Sequence, residues 1–219
     1  MEFAFDIETI PNTSIINSLP EVEVKYGNTK DLEKRKIIED ESKQKQIDEM
    51  ALSPFYGRIC SYAVYGNSIQ KYHTIDEISD ASEIELINEI FELFTVTPTE
   101  VPRVITWRGN EFDIPFVFIR AAMLNVFSPS GCLRLQQMIK RYTTAPHCDL
   151  ERVLSNWGNK MVKLNHAASA LLGETKLDHD FSKFIDQIQS GKSDEIGIYN
   201  LKDAELTYKL FTKLQPYLF

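Results

Sequence analysis

The sequence predicts an α/β fold: a mixed central β-sheet with flanking helices and a mostly helical second half. Three observations carry this reading. Phe3-Ala4-Phe5-Asp6-Ile7-Glu8 sets apolar side chains around two carboxylates at i and i+2, the pattern of a strand. Arg58 to Tyr65 and Ile69 to Ile75 are rich in β-branched and aromatic residues and are joined through Gly66-Asn67, a hairpin signature. Further along, segments of helical length are separated by Pro146, Trp157-Gly158, Gly173 and Gly191.

Taken in order, residues 2–8 are the first strand, and Pro11, Pro20 and Gly27 with several Asn and Ser make 11–29 a long loop. Lys30 to Met50 mixes both charge signs, with sparse apolar points at Leu32, Ile37, Ile38, Ile47 and Met50. That pattern predicts one or two exposed helices, an insertion near residues 21–52 packed on the rim. The interleaved acids favour a solvated helix there over a nucleic-acid arm. The hairpin follows. Ser82 to Phe94 then carries Ile84, Ile87, Ile90, Phe91 and Phe94 at helical spacing, Val101 to Trp107 is a short buried strand, and Asp113 to Leu124 is a helix with Ile114, Val117, Phe118 and Ala121 inward. The order strand, hairpin, helix, strand, helix is that of a mixed sheet with helices packed against it. Helical segments near 131–141, 149–156, 164–172 and 178–190 precede a final helix from about Asp194 to Leu214, with Asp149 and Asn165 as candidate caps.

The 219 residues fit one large domain over 1–219, carrying that insertion. A hydrophobic share of 43% with 26% charged residues belongs to a soluble globular chain. Neither a membrane span nor a signal peptide is evident. Cys60, Cys132 and Cys148 are an odd, scattered set, which predicts a reducing, cytoplasmic setting. His147-Cys148 has no second metal-spaced pair, so zinc is not expected. The net charge of −8 argues against a protein that coats nucleic acid by bulk electrostatics, and is compatible with an enzyme that grips a short end.

Asp6 and Glu8 point to one side of the first strand and repel each other unless a cation sits between them. A hard divalent ion suits oxygen ligands; the plain alternative is a solvent-facing edge strand. Asp113 falls where a buried strand gives way to a helix, with Pro115 suited to the first turn; taken singly it reads as a helix N-cap. Asp203 lies four residues after Tyr199 in the last helix, so the two share a face that Leu206 and Leu210 extend. Four carboxylates from distant parts of a chain can hold two divalent ions ~3.5–4 Å apart for phosphodiester cleavage, and a nearby phenol can orient water or relay its proton.

Asp6-Ile7-Glu8, Phe112-Asp113 and Tyr199-Asn200-Leu201-Lys202-Asp203 resemble, in order, the three motifs of the DEDD exonuclease superfamily. The Tyr-x-x-x-Asp form resembles the tyrosine subclass; the histidine subclass would place His at the position of Ile198. The opening Phe-Asp-Ile-Glu-Thr is similar to the proofreading exonuclease domain of family-B DNA polymerases, and the chain more closely resembles stand-alone predicted 3′–5′ exonucleases related to that domain. Leu52-Ser53-Pro54 with Gly57-Arg58-Ile59, His147-Cys148-Asp149-Leu150 and Lys176-Leu177-Asp178 also look like that family. The resemblance implies a ribonuclease-H-like fold. It departs at one place: polymerase relatives read Asn-x-x-x-Phe-Asp in the second motif, and Arg108 stands at the Asn position.

The resemblance implies a metal-dependent 3′–5′ exonuclease acting on single-stranded DNA ends, with two Mg²⁺ or Mn²⁺ ions held by Asp6, Glu8, Asp113 and Asp203 and Tyr199 positioning water. Thr9, Ile10, Phe112 and Lys176 would lie along the substrate, and Arg108 would reach a phosphate or the terminal nucleotide unless it pairs with Glu111. The rival readings are a 3′–5′ exoribonuclease on short RNA and a nucleic-acid-binding subunit without turnover. With no polymerase region evident, a role in replication or repair would need a partner protein in trans.

Overall fold

The structure, a computed structural model, describes residues 1–95, 101–158 and 160–218. Its strands are β1 (Glu2–Pro11), β2 (Gly57–Gly66), β3 (Ile69–Thr74), β4 (Arg103–Thr106) and β5 (His147–Asp149). Its helices are α1 (Leu32–Met50), α2 (Asp80–Phe94), α3 (Asp113–Met123), α4 (Pro129–Met138), α5 (Leu150–Leu154), α6 (Leu164–Leu172), α7 (Phe184–Gln189) and α8 (Ser193–Leu218). The strands form one mixed sheet in the order β3-β2-β1-β4-β5. β1 pairs antiparallel with β2 and parallel with β4, so it is the central strand, and β4 pairs parallel with β5.

The period-2 alternation of β1 sorts its side chains between two faces. Phe3, Phe5 and Ile7 join Cys60, Tyr62 and Val64 of β2 in one buried cluster with residues of α2, α3 and α4. Ala4 and Ala63 lie on the other face, in a second cluster with Ile105, Cys148 and α8 residues such as Leu206 and Leu210. Small side chains on that face let α8 lie close to the sheet. Gly197 carries this furthest: a Cβ there would stand 2.1 Å from Cδ2 of Tyr72 on β3.

A β-bulge interrupts the β1–β2 ladder between Glu8 and Thr9. The Ile59 N–H beside it is taken by Glu83 Oε1 at 3.0 Å, and the Cys60 carbonyl accepts from Ile75 N at 2.9 Å. Glu83, 1% exposed, also binds the buried Arg120 through contacts of 2.7 and 2.6 Å. That buried pair fixes the rotation of α3. Arg120 turns inward, the buried stripe runs Asp113, Ile114, Phe116, Val117, Arg120 and Ala121, and Phe118 is 39% exposed, not inward.

Other local expectations are also corrected. β1 runs on to Pro11, and a 3₁₀ turn at Thr13–Ser18 occupies part of the expected loop. Residues 178–190 are not one helix but a 3₁₀ turn at Phe181–Lys183 followed by α7. Lys163, not Asn165, is the N-cap residue of α6; Asn165 Oδ1 instead accepts from Lys176 N at 2.9 Å. Asp149 does cap α5, accepting from Arg152 N at 3.2 Å. The strand β5 falls inside the half expected to be helical. Among the described residues no helix is long and apolar enough to cross a membrane.

Candidate metal centre

β1, β4 and β5 run parallel, so their carboxyl ends lie on one side of the sheet, the side where open α/β sheets collect ligands. Asp6 and Glu8 sit near that end of β1, and α8 delivers Asp203. Carboxylate oxygens of Asp6, Glu8 and Asp203 lie within 4.8 Å of one another, a spacing that suits a shared cation. Asp113 stands beside this trio rather than inside it. β4 pairs with β1 only as far as Ala4, and Asp113 Oδ1 takes the next free N–H, that of Ile7, at 3.1 Å. Asp113 is N1 of α3 and Phe112 is the N-cap residue, so this carboxylate is not a cap.

The electrostatics show an unmet need for positive charge. Burial raises Asp6, and Asp113, Glu8 and Asp203 raise it further. Burial raises Glu8, and Asp203 adds to it. Burial also lifts Asp203, against the pull of Lys176, and pushes Asp113 up to about 7. The Lys176 ammonium forms an ion pair with Asp203 Oδ2 and offsets part of the repulsion. Asp203 Oδ1 is nonetheless buried with no hydrogen-bond partner. A carboxylate with an orphaned oxygen, in a group of three acids whose oxygens lie within 4.8 Å, fits a divalent metal.

Tyr199 is 3% exposed. Burial, then the Asp203 charge, raises its phenol, so it stays protonated at neutral pH. Its ring lies 4.9 Å from His179 and 5.6 Å from Phe181, with Lys176 Nζ 5.2 Å from its centre. The remaining expected residues are spread around this point. Thr9 donates its hydroxyl to Ala51 O at 2.7 Å and lines a cavity of about 390 Å³ with Ile47, His179 and Phe181. Ile10 is 1% exposed, so its side chain belongs to the core and offers a ligand only backbone. Phe112, half-buried, packs 5.3 Å from Phe116. Arg108 donates to Glu111 Oε2 at 3.0 Å, the pairing that its structural reading describes, while its side also borders a cavity shared with Lys176.

The loop between β4 and Asp113 is held by residues that sequence reasoning did not assign to the site. Asp149 accepts from Arg108 N at 3.0 Å and from Asn110 N at 2.9 Å. His147 Nδ1 lies 2.9 Å from Met138 O, which can only accept, so Nδ1 carries the proton and Nε2 accepts from the Thr106 hydroxyl at 2.8 Å. Burial lowers His147 to about 4, which keeps that tautomer neutral. Thr106 Oγ1 in turn accepts from Gly109 N at 3.0 Å, and a Cβ on Gly109 would stand 2.2 Å from that oxygen. The sequence signal for this clamp was only that His147-Cys148-Asp149 has a family look; nothing in it said which backbone groups they bind.

Sheet order, parallel strand ends and flanking helices define a ribonuclease-H-like α/β fold. The family-B DNA polymerase of the hyperthermophilic archaeon Pyrobaculum calidifontis shares it, with a TM-score of 0.58 and 16% identity over 98% of this chain and 24% of that one. Residues 52–217 match the family described as predicted 3′–5′ exonucleases related to the exonuclease domain of PolB, and the chain belongs to that family. DNA polymerase 1 of Sulfolobus acidocaldarius is 34% identical over 147 residues, covering 62% of this chain and 15% of that protein. DNA polymerase 1 of Sulfurisphaera ohwakuensis is 30% identical over 156 residues, or 67% and 17%. The chain thus spans about a sixth of the length of these curated relatives. Asp113, Tyr199 and Asp203 fall inside the matched residues; Asp6 and Glu8 precede them and reach the site through the pairing of β1 with β2 and β4.

Proposed function

We propose that the chain is a metal-dependent 3′–5′ exonuclease that hydrolyses phosphodiester bonds at single-stranded DNA ends. The observation that carries this is the convergence of Asp6, Glu8 and Asp203 within 4.8 Å, with Asp113 bonded to the same strand. Family membership supports the reaction class. On this reading residues 1–219 act as one domain, with 21–52 as an insertion, and a replication or repair protein is a candidate partner in trans.

Asp6, Glu8, Asp113 and Asp203 would hold two Mg²⁺ or Mn²⁺ ions. Bound there, such ions would supply Lewis-acid chemistry at a phosphodiester and lower the pKa of nearby water. Tyr199 keeps its proton and can orient a water through its hydroxyl, while His179 and Phe181 fix its ring. Lys176 holds Asp203 in place and offers a cation to a phosphate oxygen. Thr9 and Phe112 would border the terminal nucleotide, and Arg108, released from Glu111, would reach a phosphate.

The test is a 3′-end-resolved degradation assay on matched DNA and RNA oligonucleotides, with Mg²⁺, Mn²⁺ or EDTA. We expect stepwise shortening of DNA from the 3′ end, abolished by EDTA. In Asp6→Ala and Asp203→Ala turnover should fall by roughly 10²-fold or more with the fold intact, the loss of several kcal/mol of transition-state stabilisation. Near-normal turnover in either variant at saturating Mg²⁺ refutes the site, and faster shortening of RNA reassigns the substrate.

A further inference from the structure

We propose that the cleft between the β4–α3 loop, the residues after α4 and the turn after α5 is a second nucleotide subsite, which grips single-stranded nucleic acid upstream of the end held at the carboxylates. This rests on the nuclease reading for its substrate. Asn110, Glu111, Arg141, Tyr142, Arg152 and Trp157 enclose about 180 Å³. A drug-sized ligand needs roughly 300–1,000 Å³, so the cleft suits a phosphate rather than a whole nucleoside. The base has a platform just outside it: Tyr142 is 75% exposed, and its ring leans on Trp157 at 5.0 Å and 49°. Aromatic faces of this kind stack any base, whatever the sequence.

The charges favour a phosphate. Glu111 is the acid of the lining and already binds Arg108 and Arg152. Arg152 also donates to Gly158 O at 3.0 Å and lies 3.8 Å from the fully buried Glu151. Arg141 has no hydrogen-bond or ion-pair partner among the described residues. In a chain of net charge −8, the Arg141 guanidinium stands free beside the exposed Tyr142 ring and the half-buried Trp157, a local concentration of cation and aromatic surface. Asn110 adds a buried amide whose Oδ1 has no partner; rotated about its last bond, that amide offers an N–H to an anion.

The backbone gives an independent reason. Five non-glycine residues among those described have positive φ: Arg108 at 70°, Asn125 at 55°, Tyr142 at 62°, Asn156 at 50° and Trp157 at 57°. Asn125 follows the C-cap of α3, where such a residue is ordinary. The other four sit in the loops that build this cleft. Left-handed backbone is strained for residues as bulky as Tyr and Trp, and strain of that kind collects at ligand sites. Asn110 and Glu111 lie within three residues of Asp113, so the cleft borders the carboxylate cluster through a single loop.

The experiment is a binding titration in EDTA with oligothymidylates of two to eight nucleotides, followed by tryptophan emission and by anisotropy of a 5′ label. Wild type is compared with Trp157→Leu, Tyr142→Leu and Arg141→Ala. We expect emission to fall on binding and the quench to vanish in Trp157→Leu. Each aromatic variant should bind roughly 5- to 100-fold more weakly, and Arg141→Ala should lower the salt slope of log K by about 0.7. Affinities within twofold of wild type in all three variants overturn the subsite. Cleavage assays on the same proteins separate the two readings: binding through Tyr142 and Trp157 without hydrolysis keeps the subsite and ends the nuclease reading. Hydrolysis with variant affinities unchanged does the reverse, and neither binding nor hydrolysis ends both.

Discussion

On the nuclease reading proposed above, the Tyr199 hydroxyl would orient water and its ring would not serve for stacking. Its ring is enclosed by His179, Phe181 and Lys176, and burial with Asp203 keeps the phenol protonated. Tyr199→Phe retains that enclosure and removes the hydroxyl alone. A group that positions water or assists proton transfer contributes ~10²–10⁴-fold in rate. Single-turnover measurements on this variant should show a fall near the lower end of that range, with oligonucleotide affinity unchanged. Weaker affinity with an unchanged rate would make Tyr199 a binding residue. At this scale the sequence was readable wherever spacing sets direction: i, i+2 on a strand put Asp6 and Glu8 together, and i, i+4 on a helix put Tyr199 and Asp203 together. Lys176 could be placed only by family resemblance, because it stands outside any regular element and no periodicity says where its ammonium points.

α8 carries both Tyr199 and Asp203, so the distance between this helix and the sheet sets the geometry of the site. Gly197 governs that distance. Gly197→Ala would gain about 1 kcal/mol of helix propensity in a neutral setting. The added methyl, 2.1 Å from the Tyr72 ring, outweighs it, since overpacking costs ~1–3 kcal/mol. We expect a net loss of stability on chemical denaturation and, because α8 must lift, a drop in turnover larger than the loss of fold explains. Unchanged stability and turnover would show that Tyr72 simply moves aside. Most elements could be read from pattern because their periods are long enough to register. β5 could not, since a strand of three residues shows no period. On α3 the apolar spacing correctly places Ile114, Val117 and Ala121 inward; Phe118 departs from it, because the buried Arg120–Glu83 pair takes the inward position on that side of the helix. Asn165 looked like a cap because nothing local reveals that its amide serves the backbone of Lys176.

Across the whole molecule, stability should fall with rising pH through the raised carboxylates of the site, Asp6, Glu8, Asp113 and Asp203, and rise with it through His147. Asp113 stands at about 7 in the fold, against ~3.9 in an unfolded chain. The native state therefore holds the extra proton between those values, and stability falls as pH rises through that window, by up to roughly 4 kcal/mol. His147, lowered to about 4 from 6.5, acts the other way: the unfolded chain takes the proton, and stability rises with pH from about 4 to 6.5. Thermal melts in EDTA from pH 4 to 8 on wild type and Asp113→Asn isolate the carboxylate. The variant should become the more stable of the two as pH rises, and saturating Mg²⁺ should narrow the gap by favouring the charged forms. A difference that stays flat with pH would place Asp113 near its ordinary value. The order of the pieces along the chain has a consequence in time. Of the pieces that form the site, the central strand carrying Asp6 and Glu8 precedes its parallel neighbour by about a hundred residues and the helix with Asp203 by nearly two hundred. A chain still emerging from the ribosome, or cut short before that helix, lacks Asp203, so on the nuclease reading the blade stays sheathed until α8 has been synthesised.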